Sequence, residues 1–241
     1  MLYKSLLMLH VSSAAIGLLA GFMAMVFRKG SGLHGAAGTI FFLSMLGMGG
    51  AGATIAAFIR PNAGNVTGGL LVIYLVSTAL IAAKRKDWQI GVIDFGSLVF
   101  ALTIATANTT FGVQAALSPT HLKDGYPAPL LFIFGVIAML FVVSDFRLIV
   151  RGGVAGAQRI KRHLWRMSLA LLFATASFYP GQARLFPKWL RATNLLYIPH
   201  VLLIGAMFFF LYRYSTRRKR VQRNFAPVIG NLEVQPQGAA R

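Results

Sequence analysis

Apolar residues in this chain come in long, nearly unbroken runs. They show neither the one-sided stripe of a soluble helix nor the alternation of a half-buried strand. Seven runs are read, at about 3–26, 36–58, 67–83, 90–116, 128–150, 164–183 and 194–213, separated by short stretches that hold the charges, prolines and turn residues. Wound as helices at about 1.5 Å per residue, runs of this length match a hydrocarbon layer roughly 30 Å thick. The pattern predicts an all-α, polytopic transmembrane bundle of about seven spans over residues 1–213. A basic tail over 214–241 follows, polar and without helical period, and it is expected to be disordered. The first run could pass for a signal peptide, but it is too long and Arg28-Lys29 closes it like a stop signal, so it is read as a retained span.

Composition sharpens this picture. Hydrophobic residues make up 56% of the 241, charged residues 12%, and the mean hydropathy is +0.67, which no soluble domain of this size could bury. There is no cysteine, which excludes disulfides, thiolate metal sites, iron–sulfur clusters and covalently attached c-type haem. In a soluble chain, 24 Lys+Arg against 5 Asp+Glu would suggest nucleic acid; here the basic residues are expected in loops facing the cytoplasm, where they fix topology and meet anionic lipid, and no nucleic-acid partner is expected. The first, third and fifth connections and the tail hold 18 of the 24, which sets the N-terminus outside and the C-terminus inside. The expected partners are the bilayer and, for the tail, the anionic lipids of the inner leaflet; the oligomeric state is left open. No HExxH, Walker A or GxSxG stretch occurs, and no lysine lies inside span seven, which removes a retinal Schiff base.

An acid inside a span needs a partner. Asp94, in GVIDFGS, and Asp145, in VVSDFRL, both fall in the cytoplasmic half, at the depth of Arg147, Arg162, Arg166, His34 and His163. An inner polar cluster of His34, Asp94, Asp145, Arg147, His163 and Arg166 is therefore expected. The economical pairing is Asp145 with Arg166 or His163, and Asp94 with another inner cation. Such a cluster is either structural, locking spans four to six together, or proton-linked through histidine.

The histidines carry a second reading. His10 and His200 lie at outer depth, in spans one and seven; His34 and His163 open spans two and six from inside. Two imidazoles on different helices at matched depth are what a non-covalent b-type haem requires, so haem b is an alternative cofactor with His10, His34, His163 and His200 as candidate ligands. The small stripe below His10 (Ser13, Ala14, Gly17, Gly21) could clear room for a macrocycle or simply let helices pack. No other metal is expected, and no catalytic residue stands out.

The stretches LHVSSAAIGLLAGFMAMVFRKGSGLHGAAGTIFFLSML and RPN, then SPTHLKDGYPA and SDFRLIVRGGVAGAQRIKRHLWRM, resemble a bacterial multi-pass membrane family classed as a domain of unknown function, the 2306-like group. The resemblance covers about residues 8–213. It implies an integral protein of the bacterial inner membrane, with histidines at His10, His34 and His163 and an aspartate at Asp145. Three functions follow as expectations: a membrane protein whose inner cluster is structural or proton-linked, a haem-binding electron-transfer protein, and a proton-coupled carrier of a small solute.

Overall fold

A computed structural model describes the chain except Pro180 and residues 233–241, with side chains described as far as Ser215. Helices dominate: α1 (Leu2–Val26), α2 (Gly32–Thr54), α3 (Ala63–Lys84), α4 (Val92–Leu117), α5 (Ala128–Val150), α6 (Gly156–Phe178), a short α7 (Lys188–Arg191) and α8 (Ile198–Leu232). Six helical stretches are long and apolar enough to cross a membrane. Long α6 falls outside that set because Arg159, Lys161, Arg162 and Arg166 crowd its first half. Its polar half begins eight residues before the apolar run does, so hydropathy alone placed its start too late. α8 runs on past 213, where the composition turns polar.

α3 is the central helix. It packs against α2, α4 and α6, and Leu75, Val76 and Ala79 are fully buried. α1 pairs with α2 and α4 with α5, each across a short connection, and α8 lies on α6. Large apolar side chains such as Leu19, Leu43, Val99, Val136, Leu140 and Phe208 face outward, as expected of a surface whose solvent is lipid.

Local sequence explains the ends. Ser31 caps α2, its hydroxyl accepting the His34 N–H at 3.2 Å, and Asn62 caps α3 by accepting from the Asn65 N–H at 2.8 Å. Before Pro61 the last turn of α2 widens into a π-turn over Ile55–Ile59, with the Arg60 N–H reaching the Ile55 carbonyl at 2.8 Å. In the loop between α4 and α5, Leu122–Lys123 and Tyr126–Pro127 pair as a small hairpin, β1 and β2, around Asp124-Gly125, both at positive φ as a tight primed turn demands. The hairpin is latched to α3: the Asp124 carboxylate accepts the Ala63 N–H at 2.7 Å, and the Tyr126 hydroxyl donates to Asn65 at 2.7 Å. Burial at this latch raises the Tyr126 pKa. His121 stays exposed in the same loop.

The small residues of the first three helices serve packing. A methyl at Gly49 would stand 2.8 Å from the Gly69 carbonyl oxygen, and one at Gly69 would stand 2.7 Å from that of Gly49, so α2 and α3 cross backbone to backbone. Met45 fills the notch at Gly17; Phe41 and Leu171 fill the one at Gly21. The stripe below His10 is thus taken up by side chains of α2 and α6, which decides for packing at those two positions.

Candidate functional site

Two sites share the N-terminal half of α6 and look out from different faces of it. The first is ionic. Arg162 and Arg166, four residues apart, both reach Oδ1 of Asp145 on α5, Arg166 from 2.5 Å. The other oxygen, Oδ2, accepts the Tyr74 hydroxyl from α3 at 2.6 Å. Arg162 also donates to the Ser144 hydroxyl at 3.0 Å. Arg166 is 0% exposed and Asp145 1%. The Arg166 guanidinium stands 5.2 Å from the Tyr74 ring, 5.6 Å from Phe141 and 5.4 Å from Trp165, and its Nε and Nη1 have no hydrogen-bond partner. The three aromatic faces are what surrounds these N–H groups in place of acceptors. Phe141 and Asp145 are themselves one helical turn apart, so α5 supplies both the anion and one wall of the box.

Of the residues expected in an inner polar cluster, Asp145 and Arg166 are therefore brought together, with Arg162 beside them. Asp94 is elsewhere: its carboxylate pairs with Arg85 and accepts the Gly91 N–H at 2.7 Å, closing the first turn of α4. Arg147 is exposed, without an ion pair among the described residues. His163 does not face Asp145. Sequence reasoning missed Tyr74, which sits in an apolar run and reads as one more aromatic core residue.

The second site is a cavity of about 570 Å³ between α1, α2, α3 and α6. His34 and His163 both line it. The His34 Nδ1 lies 2.9 Å from the Ala24 carbonyl oxygen, and the His163 Nδ1 lies 3.0 Å from that of Ala79. A carbonyl only accepts, so each Nδ1 carries a proton, and in the neutral ring Nε2 keeps its lone pair. Neither Nε2 has a hydrogen-bond partner among the described residues. The two imidazoles also match in depth. Phe41 on α2 and Leu171 on α6 both meet Gly21 of α1. His34 is seven residues from Phe41 and His163 eight from Leu171, both toward the N-terminal ends of their helices, or about 10 and 12 Å along them.

The walls are Met25, Phe41, Leu164, Met167 and Leu171, with Gly21, Gly35 and Gly38 on α1 and α2. Gly35 and Gly38 meet nothing where a side chain would be. Ser168, 4% exposed, also lines it, and its hydroxyl has no hydrogen-bond partner among the described residues. Lys29, Lys84 and Arg159 stand at the helix ends around the cavity.

The chain matches no family model, no curated protein and no solved structure. The site must be judged on its chemistry alone.

The outer histidines are placed differently. The His10 Nδ1 also meets a carbonyl, that of Met48 at 2.8 Å, but the Nδ1–Cε1 edge of its ring sits against α2 where Gly52 leaves room. Both ring nitrogens of His200 are buried without a partner, near the rings of Tyr179 at 6.5 Å and Tyr197 at 6.1 Å. The cavity takes in His34 and His163 and neither of these two.

Proposed function

We propose that the chain is a seven-span protein of the bacterial inner membrane that holds one haem b between His34 and His163 and carries electrons. The observation that carries this reading is the pair of Nδ1-anchored imidazoles, matched in depth, lining one cavity and with no Nε2 partner among the described residues. Ligating histidines characteristically donate Nδ1–H to a carbonyl or carboxylate, which fixes the ring and raises the basicity of Nε2. About 570 Å³ lies within the roughly 300–1,000 Å³ of small-molecule and cofactor sites. His34 and His163 would hold the haem from two helices and would leave no place for oxygen or substrate to bind, which suits electron transfer. Detergent-purified protein from haem-replete cells is expected to show a Soret band that sharpens and shifts on dithionite reduction. Colourless, folded protein that takes up no added haem would overturn the reading.

The Asp145 cluster supports a structural role. Its carboxylate already accepts from two guanidinium groups and a phenol. With both oxygens taken up in this way, the carboxylate ties α3, α5 and α6 together, which favours the structural reading over the proton-linked and carrier ones.

In the proposed topology the N-terminus is outside, α6 spans as the sixth helix and the basic tail meets anionic inner-leaflet lipid. Reporter fusions after Lys86 and Arg151 should read as cytoplasmic, and one after Lys123 as external. A cytoplasmic signal at Lys123 would refute that orientation. Membership of the 2306-like group is proposed on the RIKRHLWRM stretch, which supplies members of both sites.

A further inference from the structure

We infer that the cavity takes its haem in one orientation, with the two carboxylate side chains turned to the cytoplasmic mouth and met there by Lys29, Lys84 and Arg159. This inference rests on the haem reading above. The cavity is graded along the membrane normal. Its inner end, at the level of Gly21, is walled by Phe41 and Leu171. Its other end is ringed by cations from three different elements: Lys29 in the turn between α1 and α2, Lys84 in the last turn of α3, and Arg159 in the first turn of α6.

No acid lines the cavity beside them. Arg159 is partly engaged, donating to the Arg85 carbonyl and lying 3.3 Å from Asp87. Lys29 donates to the Ala24 and Met25 carbonyls at 2.7 and 2.9 Å and covers the Phe210 ring at 4.7 Å. Lys84 has no hydrogen bond or ion pair among the described residues, although it lines the cavity. Cations gathered at one end of an apolar slot fit an amphiphile with an anionic edge. Haem b has that shape: a flat apolar ring with two carboxylates on one side. An anionic lipid headgroup shares the charge and could compete for the same cations, but it supplies no iron for the two imidazoles.

The test is reconstitution of purified full-length protein with haem b and, separately, with its dimethyl ester, which keeps the ring and iron and loses both charges. Binding is read from the low-spin absorption spectrum. The wild-type protein should bind the ester roughly ten- to a hundredfold more weakly than haem b. In Lys84→Gln, at an exposed position, haem b should weaken while the ester is unchanged, so the gap narrows; Lys84→Glu should narrow it further. Equal affinity for both ligands in the wild type would overturn this inference and leave the haem reading standing. A gap unaffected by either Lys84 variant would overturn the assignment of Lys84. Loss of the gap on adding anionic lipid, but not neutral lipid, would assign the cations to headgroups and overturn the inference. No low-spin spectrum with either ligand would remove the haem reading and this inference with it.

Discussion

Asp145→Ala should lower the thermal unfolding midpoint in detergent more than any other single substitution among the charged residues. It strands Arg166, which is 0% exposed, and Arg162 beside it, with no anion between them. Breaking a buried pair from one side typically costs about 3–5 kcal/mol, because the remaining charge keeps its desolvation penalty. Arg166→Ala should cost a similar amount for a different reason: Asp145 keeps Arg162 and Tyr74, but the box of Tyr74, Phe141 and Trp165 is emptied. The double variant should be less damaged than the sum, since neither stranded charge remains complete. His163→Ala combined with Asp145→Ala supplies the control. Their effects should add, because His163 is bonded to the Ala79 carbonyl and faces the cavity. Strict additivity of Asp145 with Arg166 would show that the buried pair contributes nothing. Non-additivity with His163 would show that the two faces of α6 are coupled.

The contrast between these partners marks how far the sequence could be read. Long apolar runs locate helices because a span must satisfy its own backbone, so length and hydropathy are nearly sufficient. They failed at α6 for a physical reason. Its first half is basic on paper, yet Arg166 is buried by a carboxylate from α5 and rings from three helices, and hydropathy has no way to credit a charge that is paired inside the bundle. The same limit applied to partners. An acid at Asp145 announced that some inner cation would meet it, and Arg166 was among those named. Which face of α6 turned to α5, and which to α1 and α2, depends on helix rotation, and a run of basic residues around the helix does not fix rotation. Hence His163 and Arg166, three residues apart and grouped by spacing, serve separate sites. Tyr74 carried no signal, because a buried tyrosine and a core phenylalanine occupy the same pattern until a carboxylate is found at hydrogen-bond distance. The matched depth of His34 and His163 was legible, since it needs only residue counts from the helix ends. The cavity was not, because it depends on how α2, α3 and α6 pack around α1 and on Gly35 and Gly38 meeting no neighbour.

His34→Ala and His163→Ala should each convert the bound haem from low spin to high spin, and this is the sharpest consequence of the cavity. Each imidazole comes from a different helix, α2 and α6, and each is held by its own carbonyl, so removing one leaves the other in place. The iron then keeps one protein ligand and gains an open position. Carbon monoxide, excluded from the wild type, should bind the reduced form of either variant. Added imidazole should restore the low-spin spectrum, because the vacated volume is that of the lost ring. The double variant should retain little or no haem, since ring burial and cationic contacts remain but both bonds to iron are gone. Neither ligand carries the fold as Asp145 does: both rings are only half-buried, so each variant should unfold near the wild-type midpoint, and a loss of spectrum cannot be mistaken for a loss of structure. His10→Ala and His200→Ala should leave the spectrum unchanged, because neither ring reaches this cavity. A spectrum that follows His10 or His200 while ignoring His34 and His163 would move the iron to the outer half of the membrane, where the two buried nitrogens of His200 have no partner, and would sink the inner site altogether.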